Sequence, residues 1–112
     1  MFELLEDLDP KVKKRFQKEV SMTEITRYAL NLHPKATMII TNKMLYLLTS
    51  GWFFMSVWKR NLQQVSHVEV SGSTLTVSAS DGKTSAKIAP GQLKSAQKLA
   101  EVVNSLLKER RC

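Results

Sequence analysis

The spacing of apolar residues divides the chain into a helical start, a long β-type middle and a helical end. The aspartate–proline pair at residues 9–10 is typical of a helix start, since aspartate can cap the helix and proline fits its first position. Val12, Phe16 and Val20 then recur every four residues and predict an amphipathic helix with basic flanks. We expect residues 1–21 to be a helical extension of the domain that follows.

The middle of the chain alternates apolar residues with polar ones between turn signals, which is typical of half-buried strands. The predicted strands span residues 23–32, 37–41, 44–49, 52–59, 62–70, 74–79 and 84–88. The dipeptides Asn42-Lys43 and Asp81-Gly82 predict tight two-residue turns. The middle therefore predicts about seven short antiparallel strands.

The last segment, from Gln92 onward, has apolar residues three or four positions apart between Leu93 and Leu107. An antiparallel run of short strands must hide its edges, and a helix directly after the last strand can close one end of it. The expected fold is α+β and mainly β: a barrel of about seven strands over residues 22–112, capped by a C-terminal helix, with the N-terminal helix added.

The runs over residues 39–46, 62–69 and 75–77, the Asp81-Gly82 turn and the terminal helix resemble, in order and spacing, the bacterial pleckstrin-homology (PH-like) domains, in particular the YokE-like family. This resemblance implies a non-enzymatic module used for localisation or assembly. The hairpin at 32–36 has one lysine and one histidine, whereas lipid-binding eukaryotic PH domains carry several basic residues there. Recognition of a phosphoinositide headgroup is therefore not expected.

The sequence offers no constellation for catalysis, and we expect no enzyme activity, no cofactor and no metal. His33 and His67 have no acid or nucleophile at an interpretable spacing, and His67 is expected to be a surface strand residue. Cys112, the last residue, is the only cysteine of the sequence, so no internal disulfide is expected. Without a signal peptide or a membrane-spanning apolar run, the expected location is the cytoplasm, with attachment to a membrane surface as an alternative.

The net charge of +7 is unevenly distributed, because all 17 basic residues follow residue 9. Such a surplus favours an anionic membrane surface, a nucleic acid or an acidic protein face as partner. A solvated basic surface that only maintains solubility is the other interpretation.

The segment of residues 51–58 is rich in large apolar side chains, and alternate residues of a strand face opposite sides. One side must be core. The other is covered by the N-terminal helix, used for self-association, or inserted at a membrane interface.

The first functional hypothesis is protein binding or homo-oligomerisation. Its expected contact residues are Trp52, Phe53, Phe54 and Trp58, with Val12 and Phe16 of the helix. The second is peripheral binding to an anionic membrane around the aromatic hairpin, through Lys35, Lys43, Lys59 and Arg60. Single-stranded nucleic-acid binding is the third, and no small-molecule substrate is indicated.

Overall fold

A computed structural model describes residues 10–20, 22–51 and 55–111 of the chain. Over these residues it contains α1 (Pro10–Glu19), β1 (Thr26–His33), β2 (Ala36–Thr41), β3 (Met44–Ser50), β4 (Met55–Asn61), β5 (Val65–Ser71), β6 (Thr74–Ala79), β7 (Gly82–Lys87) and α2 (Leu93–Arg111). A short 3-10 turn, Pro90–Gln92, joins β7 to α2. The mainly β architecture with an N-terminal and a C-terminal helix is confirmed, while closure into a barrel stays a prediction.

The strands form two antiparallel sheets, a four-stranded one in the order β1-β2-β3-β4 and a three-stranded one in the order β5-β6-β7. Asn42 and Lys43 form the turn between β2 and β3, as expected. The predicted Asp81-Gly82 turn is displaced by one residue, because Gly82 already pairs with Ala79 and the loop residues are Ser80 and Asp81. Gly82 has a φ of 147°, a conformation that side chains disfavour, so the glycine is used at the first position of β7.

The predicted strand over 62–70 begins later than expected. Residues 62–64 form a turn, in which Leu62 donates its N–H to the carbonyl of Lys43 at 2.9 Å. Leu62 is 1% exposed, so its apolar character reflects burial in the core and not strand pairing. β4 is described from Met55 onward, and residues 52–54 of its predicted span lie outside the described residues.

The three-stranded sheet and α2 pack over one face of the four-stranded sheet and form the main core. From α2 this core takes Ala96, Leu99, Ala100, Val103 and Leu107. The helix packs mainly against β5 and also contacts β1, so it touches both sheets. Asn104 fastens it further, since its carboxamide accepts the N–H of Val68 and donates to the carbonyl of the same residue, both at 2.8 Å. The predicted apolar ridge therefore packs against strands of both sheets.

The opposite face of the four-stranded sheet is covered by α1, which forms a second, smaller cluster. Its members are Val12, Phe16, Ala29, Ile39, Tyr46 and Leu48, with Met55 and Val57 packed partly buried at its border. The ring of Phe16 meets that of Tyr46 edge-on, with centroids 5.1 Å apart. β2 is consequently buried at all six positions, because both faces of its sheet are covered.

Polar contacts tie the segment after α1 to the β2–β3 hairpin. The carboxylate of Glu24 accepts hydrogen bonds from the hydroxyls of Tyr46 and Thr41, each at 2.7 Å. Burial of the ring, together with its bond to this carboxylate, raises the pKa of Tyr46. Ile25 donates its N–H to the side-chain oxygen of Asn42 at 2.8 Å. These bonds fix where the chain leaves α1 and enters β1.

Candidate functional site

The described part of the expected apolar contact surface is turned inward. Val12 and Phe16 are 7% and 1% exposed and pack against the chain's own sheet. Trp58 is partly buried against the main core, and the guanidinium carbon of Arg60 lies 4.6 Å from its ring centroid. Trp52, Phe53 and Phe54 lie outside the described residues. Among the competing interpretations of the β4 segment, the structure therefore shows α1 covering the side of Met55 and Val57.

Three of the four expected anion-contacting cations already have partners within the chain. Lys59 lies 3.0 Å from a carboxylate oxygen of Glu19, and the Nε of Arg60 lies 3.0 Å from both carboxylate oxygens of Asp81. The hydrogen bond from Lys59 lowers the pKa of Glu19, and that from Arg60 lowers the pKa of Asp81. Lys43 donates to a threonine hydroxyl at 2.7 Å. The structure does not bring these side chains together into one anion site.

The fourth cation, Lys35, lies in a cleft of about 420 Å³ between the β1–β2 turn, the end of β3 and the end of β7, here named the hairpin cleft. Its lining residues are His33, Lys35, Ala36, Thr49, Ser50, Ser85, Ala86 and Lys87. Two lysines, a histidine and three residues with hydroxyl groups line this cleft, and none of the described residues that line it carries a carboxylate. One of the three hydroxyls, that of Ser85, also shares a hydrogen bond of 3.0 Å with the hydroxyl of Thr76. Such a set of donors suits an anionic group.

The backbone around Lys35 is held from both sides. Its N–H donates to Nδ1 of His33 at 3.2 Å, and its carbonyl accepts the N–H of Ser50 at 2.8 Å. The hairpin therefore places Lys35 and His33 at a fixed position on the rim of the cleft.

The position of Lys87 follows from the junction of the two sheets. Two residues beyond β7, Ala89 donates its N–H to the carbonyl of Leu32 in β1 at 2.7 Å. This bond brings the end of β7 beside the β1–β2 turn. Sequence reasoning missed Lys87, Ser85 and the β3 hydroxyls, because it considered the hairpin alone and no local signal links it to β7.

A second cavity of about 440 Å³ shares His33 with the hairpin cleft. Its lining residues are Val12, Asn31, His33, Pro34, Thr37, Ala89 and Gln92. The Thr37 hydroxyl donates to the side-chain oxygen of Asn31 at 2.8 Å, and the Gln92 amide donates to the Asn31 carbonyl at 2.7 Å. These polar groups hydrogen-bond to one another, so fewer of their donors are available to a ligand than in the hairpin cleft.

His67 is exposed on β5, as expected for a surface strand residue. Within the described ranges, no three His, Cys, Asp or Glu side chains lie close enough to hold a metal ion. None of the helices in that part of the chain has the length and apolar character needed to cross a bilayer.

Comparisons with known proteins give no relative: no protein-family model, no curated protein and no solved structure matches this chain.

Proposed function

We propose that this chain is a non-catalytic PH-like interaction module that binds an anionic group in the hairpin cleft. The observation that carries the proposal is the composition of the cleft: it is lined by Lys35 from the β1–β2 turn and Lys87 from β7, beside His33, with no carboxylate among the described lining residues. Charge-assisted hydrogen bonds to a phosphate or carboxylate are about twice as strong as neutral ones, so two ammonium groups at one cleft favour an anion.

The PH-like part of the proposal rests on the order of the elements. Seven antiparallel strands followed by one helix are the number and order that the resemblance implies, and they lie in sheets of four and three with the helix packed on both. The cleft extends that resemblance, because its second lysine comes from β7 and not from the first hairpin. We take its ligand to be a small anionic group, since a single lysine and a histidine on the hairpin do not form the basic cluster of phosphoinositide-binding PH domains.

The protein-binding hypothesis now concerns Trp52, Phe53, Phe54 and Trp58. Val12 and Phe16 pack within the chain, and Trp58 is partly buried, so self-association through residues 52–54 and Trp58 stays a prediction.

Titration of the isotope-labelled protein with inorganic phosphate, followed by amide NMR, tests the proposal. We expect shifts at residues 33–36, 49–50 and 85–87 that saturate, and an affinity that weakens with added salt because the site is open to solvent. In the double variant Lys35→Ala/Lys87→Ala the affinity should fall at least about tenfold, since a hydrogen bond to a charged group contributes about 1.5–3 kcal/mol.

The matched control is Lys94→Ala/Lys98→Ala, which removes the same charge from exposed positions on α2. This control should bind phosphate as the unmodified chain does. Equal losses in the two double variants, or shifts spread over the whole basic surface, would overturn a specific site in the cleft.

A further inference from the structure

The nine residues that precede α1 carry the opposite charge to the rest of the chain. Residues 1–9 contain four carboxylates and no lysine or arginine, whereas all 17 basic residues come later. Large apolar side chains are interspersed with the carboxylates, in the order Phe2, Glu3, Leu4, Leu5, Glu6, Asp7, Leu8 and Asp9. This stretch, here named the acidic segment, lies outside the described residues. Its charge is complementary to a cationic site on the same chain.

The first described residues lie near the hairpin cleft. Val12 comes two residues after Pro10, where the described part of the chain starts, and it lines the second cavity together with His33. His33 also lines the hairpin cleft, so the two cavities are neighbours. Nine residues in an extended conformation span about 30 Å. The acidic segment is therefore attached close to the cleft and is long enough to enter it.

The two lysines of the hairpin cleft have no carboxylate partner among the described residues. The ion pairs between described side chains use Arg15, Lys59 and Arg60, and neither Lys35 nor Lys87 takes part in one. Carboxylates form strong, charge-assisted hydrogen bonds with ammonium groups. An acidic peptide can therefore bind both lysines of the cleft without displacing a carboxylate of the folded domain.

We propose that the acidic segment docks in the hairpin cleft of its own chain and competes there with an external anion. This inference rests on the proposed function, because it names the regulation of that same site. Carboxylates of the segment take the place of the anion beside Lys35 and Lys87. Its leucines pack along the apolar lining of the second cavity, which consists of Val12, Pro34 and Ala89. Because the segment is attached to the domain, its effective concentration at the cleft is on the order of millimolar, and even a weak contact is populated.

The lysines of α1 are the other cations within reach of the acidic segment. Lys11 already has an interaction within the chain, and Lys14 and Lys18 are exposed on the helix surface. Ion pairs between exposed side chains contribute little, because solvent screens them and both side chains lose conformational freedom. The cleft instead offers two lysines from different elements, with apolar side chains in the neighbouring cavity for the leucines. It is therefore the better site for a segment that is both acidic and apolar.

The first test compares amide NMR spectra recorded without phosphate for the unmodified chain and for the variant Glu3→Gln/Glu6→Gln. This variant keeps the two aspartates that immediately precede α1. Because the weakened segment leaves the cleft more often, the amide signals of the cleft should move, namely those of residues 33–36, 49–50 and 85–87. Dilution of the protein should not change the spectra, since the contact lies within one chain.

The second test is titration of the same proteins with inorganic phosphate. The variant Glu3→Gln/Glu6→Gln should bind phosphate at least about twofold more tightly, because the apparent affinity of a site is reduced by the fraction of molecules in which it is occupied. The matched control is Glu101→Gln/Glu109→Gln, which removes the same charge from exposed positions of α2. It should bind phosphate as the unmodified chain does, and its cleft signals should not move.

Substitution of the cations locates the contact from the other side. The variant Lys35→Ala/Lys87→Ala should move the amide signals of residues 2–8, because the segment loses its binding site. The variant Lys14→Ala/Lys18→Ala removes two exposed lysines of α1 and should move them less. Circular dichroism should show that every variant is folded.

The outcomes separate this inference from the proposed function. If phosphate binds in the cleft with equal affinity in the Glu3→Gln/Glu6→Gln variant and its control, the docked segment is wrong and the proposed function stands. If phosphate binds in no variant while the cleft signals still respond to Glu3→Gln/Glu6→Gln, the proposed function is wrong and the docked segment stands. Cleft signals that change on dilution, or a larger effect of the α1 lysines than of the cleft lysines, would overturn docking within the chain.

Discussion

Both faces of the four-stranded sheet are covered, but the two helices that cover them differ in length and in the number of side chains they bury. One face packs against the other sheet and the 19-residue α2, which places five fully or nearly fully buried side chains in the main core. The other face is covered by the 10-residue α1, whose buried side chains are Val12 and Phe16. α2 contacts both sheets, whereas the described contacts of α1 are with the four-stranded sheet.

From this difference we infer that the fold depends on α2 more than on α1. An isolated helix needs about 12–15 residues to be even marginally stable, so α1 exists as a helix because its two anchors pack on the sheet. Removing α2 would expose both sheets at once and separate them, while removing α1 would expose one face of an intact sheet. We therefore expect defects in the two helices to differ in kind as well as in size.

The largest effect is expected from Leu99→Ala in α2. Leu99 is fully buried in the main core, and truncation of a buried leucine destabilises by about 2–5 kcal/mol. Urea denaturation followed by circular dichroism should show one cooperative transition at a lower midpoint, with Gln97→Ala on the exposed side of the helix as an unaffected control. If α2 alone lost hydrogen-exchange protection while the sheets kept theirs, the helix would not be part of the main cooperative unit.

An intermediate and local effect is expected from Phe16→Ala in α1. Burial of a phenylalanine side chain stabilises by about 2 kcal/mol. The stability lost in this variant cannot exceed the free energy with which α1 packs on the sheet. Hydrogen exchange should show that the α1 amides lose protection while those of the β-strands keep it, and Gln17→Ala should change neither. Light scattering should detect more self-association, because the apolar sheet face is uncovered. A global loss of protection, as in Leu99→Ala, would remove the distinction between the two helices.

The smallest effect concerns the ion pair between Lys59 and Glu19 at the edge of α1. The hydrogen bond from Lys59 lowers the pKa of Glu19 in the folded chain, so the stabilisation is complete above the ordinary carboxyl pKa and is lost as the pH falls through the lowered value. Surface pairs of this kind contribute about 0.5 kcal/mol. Protection of α1 should therefore weaken slightly in acid.

In the variant Glu19→Gln, the weakening of α1 protection in acid that comes from Glu19 should be absent. The hydrogen-exchange protection of α1 at neutral pH should already be slightly reduced. Glu24 accepts hydrogen bonds from Tyr46 and Thr41, and the substitution at Glu19 leaves these bonds in place. The difference between the two proteins thus isolates Glu19. An unchanged acid response in the variant would show that the pair does not hold α1.

The apolar periodicity of the sequence predicted both helices and the seven strands with errors of a few residues. The errors have physical causes. Leu62 was assigned to a strand because it is apolar, yet it is buried from within a turn, and the two-residue turn before β7 was displaced because Gly82 serves the strand and not the loop. The local apolar pattern predicts that a residue is buried, but not whether it lies in a strand or in a turn.

The candidate site was predicted less completely than the fold. Lys35 was identified from the hairpin, but Lys87, from the far end of the chain, was not, and Lys59 and Arg60 were expected to be available although each is paired with a carboxylate. Pairing between distant charges depends on how the two sheets join. The covering of the outer sheet face by Val12 and Phe16 was foreseen as one of several interpretations.

Periodicity and charge are properties of neighbouring residues, so the amino-acid sequence was enough to predict the helices and strands, the apolar ridge of α2 and the basic surplus. Which cations remain turned to solvent is a property of the folded chain, since it depends on which carboxylates fold beside them. The tertiary structure also decided that α1 turns its apolar side to the sheet and its lysines outward. A short helix gains far more from burying Phe16 against Tyr46 than from any surface contact, and that gain sets the face it presents.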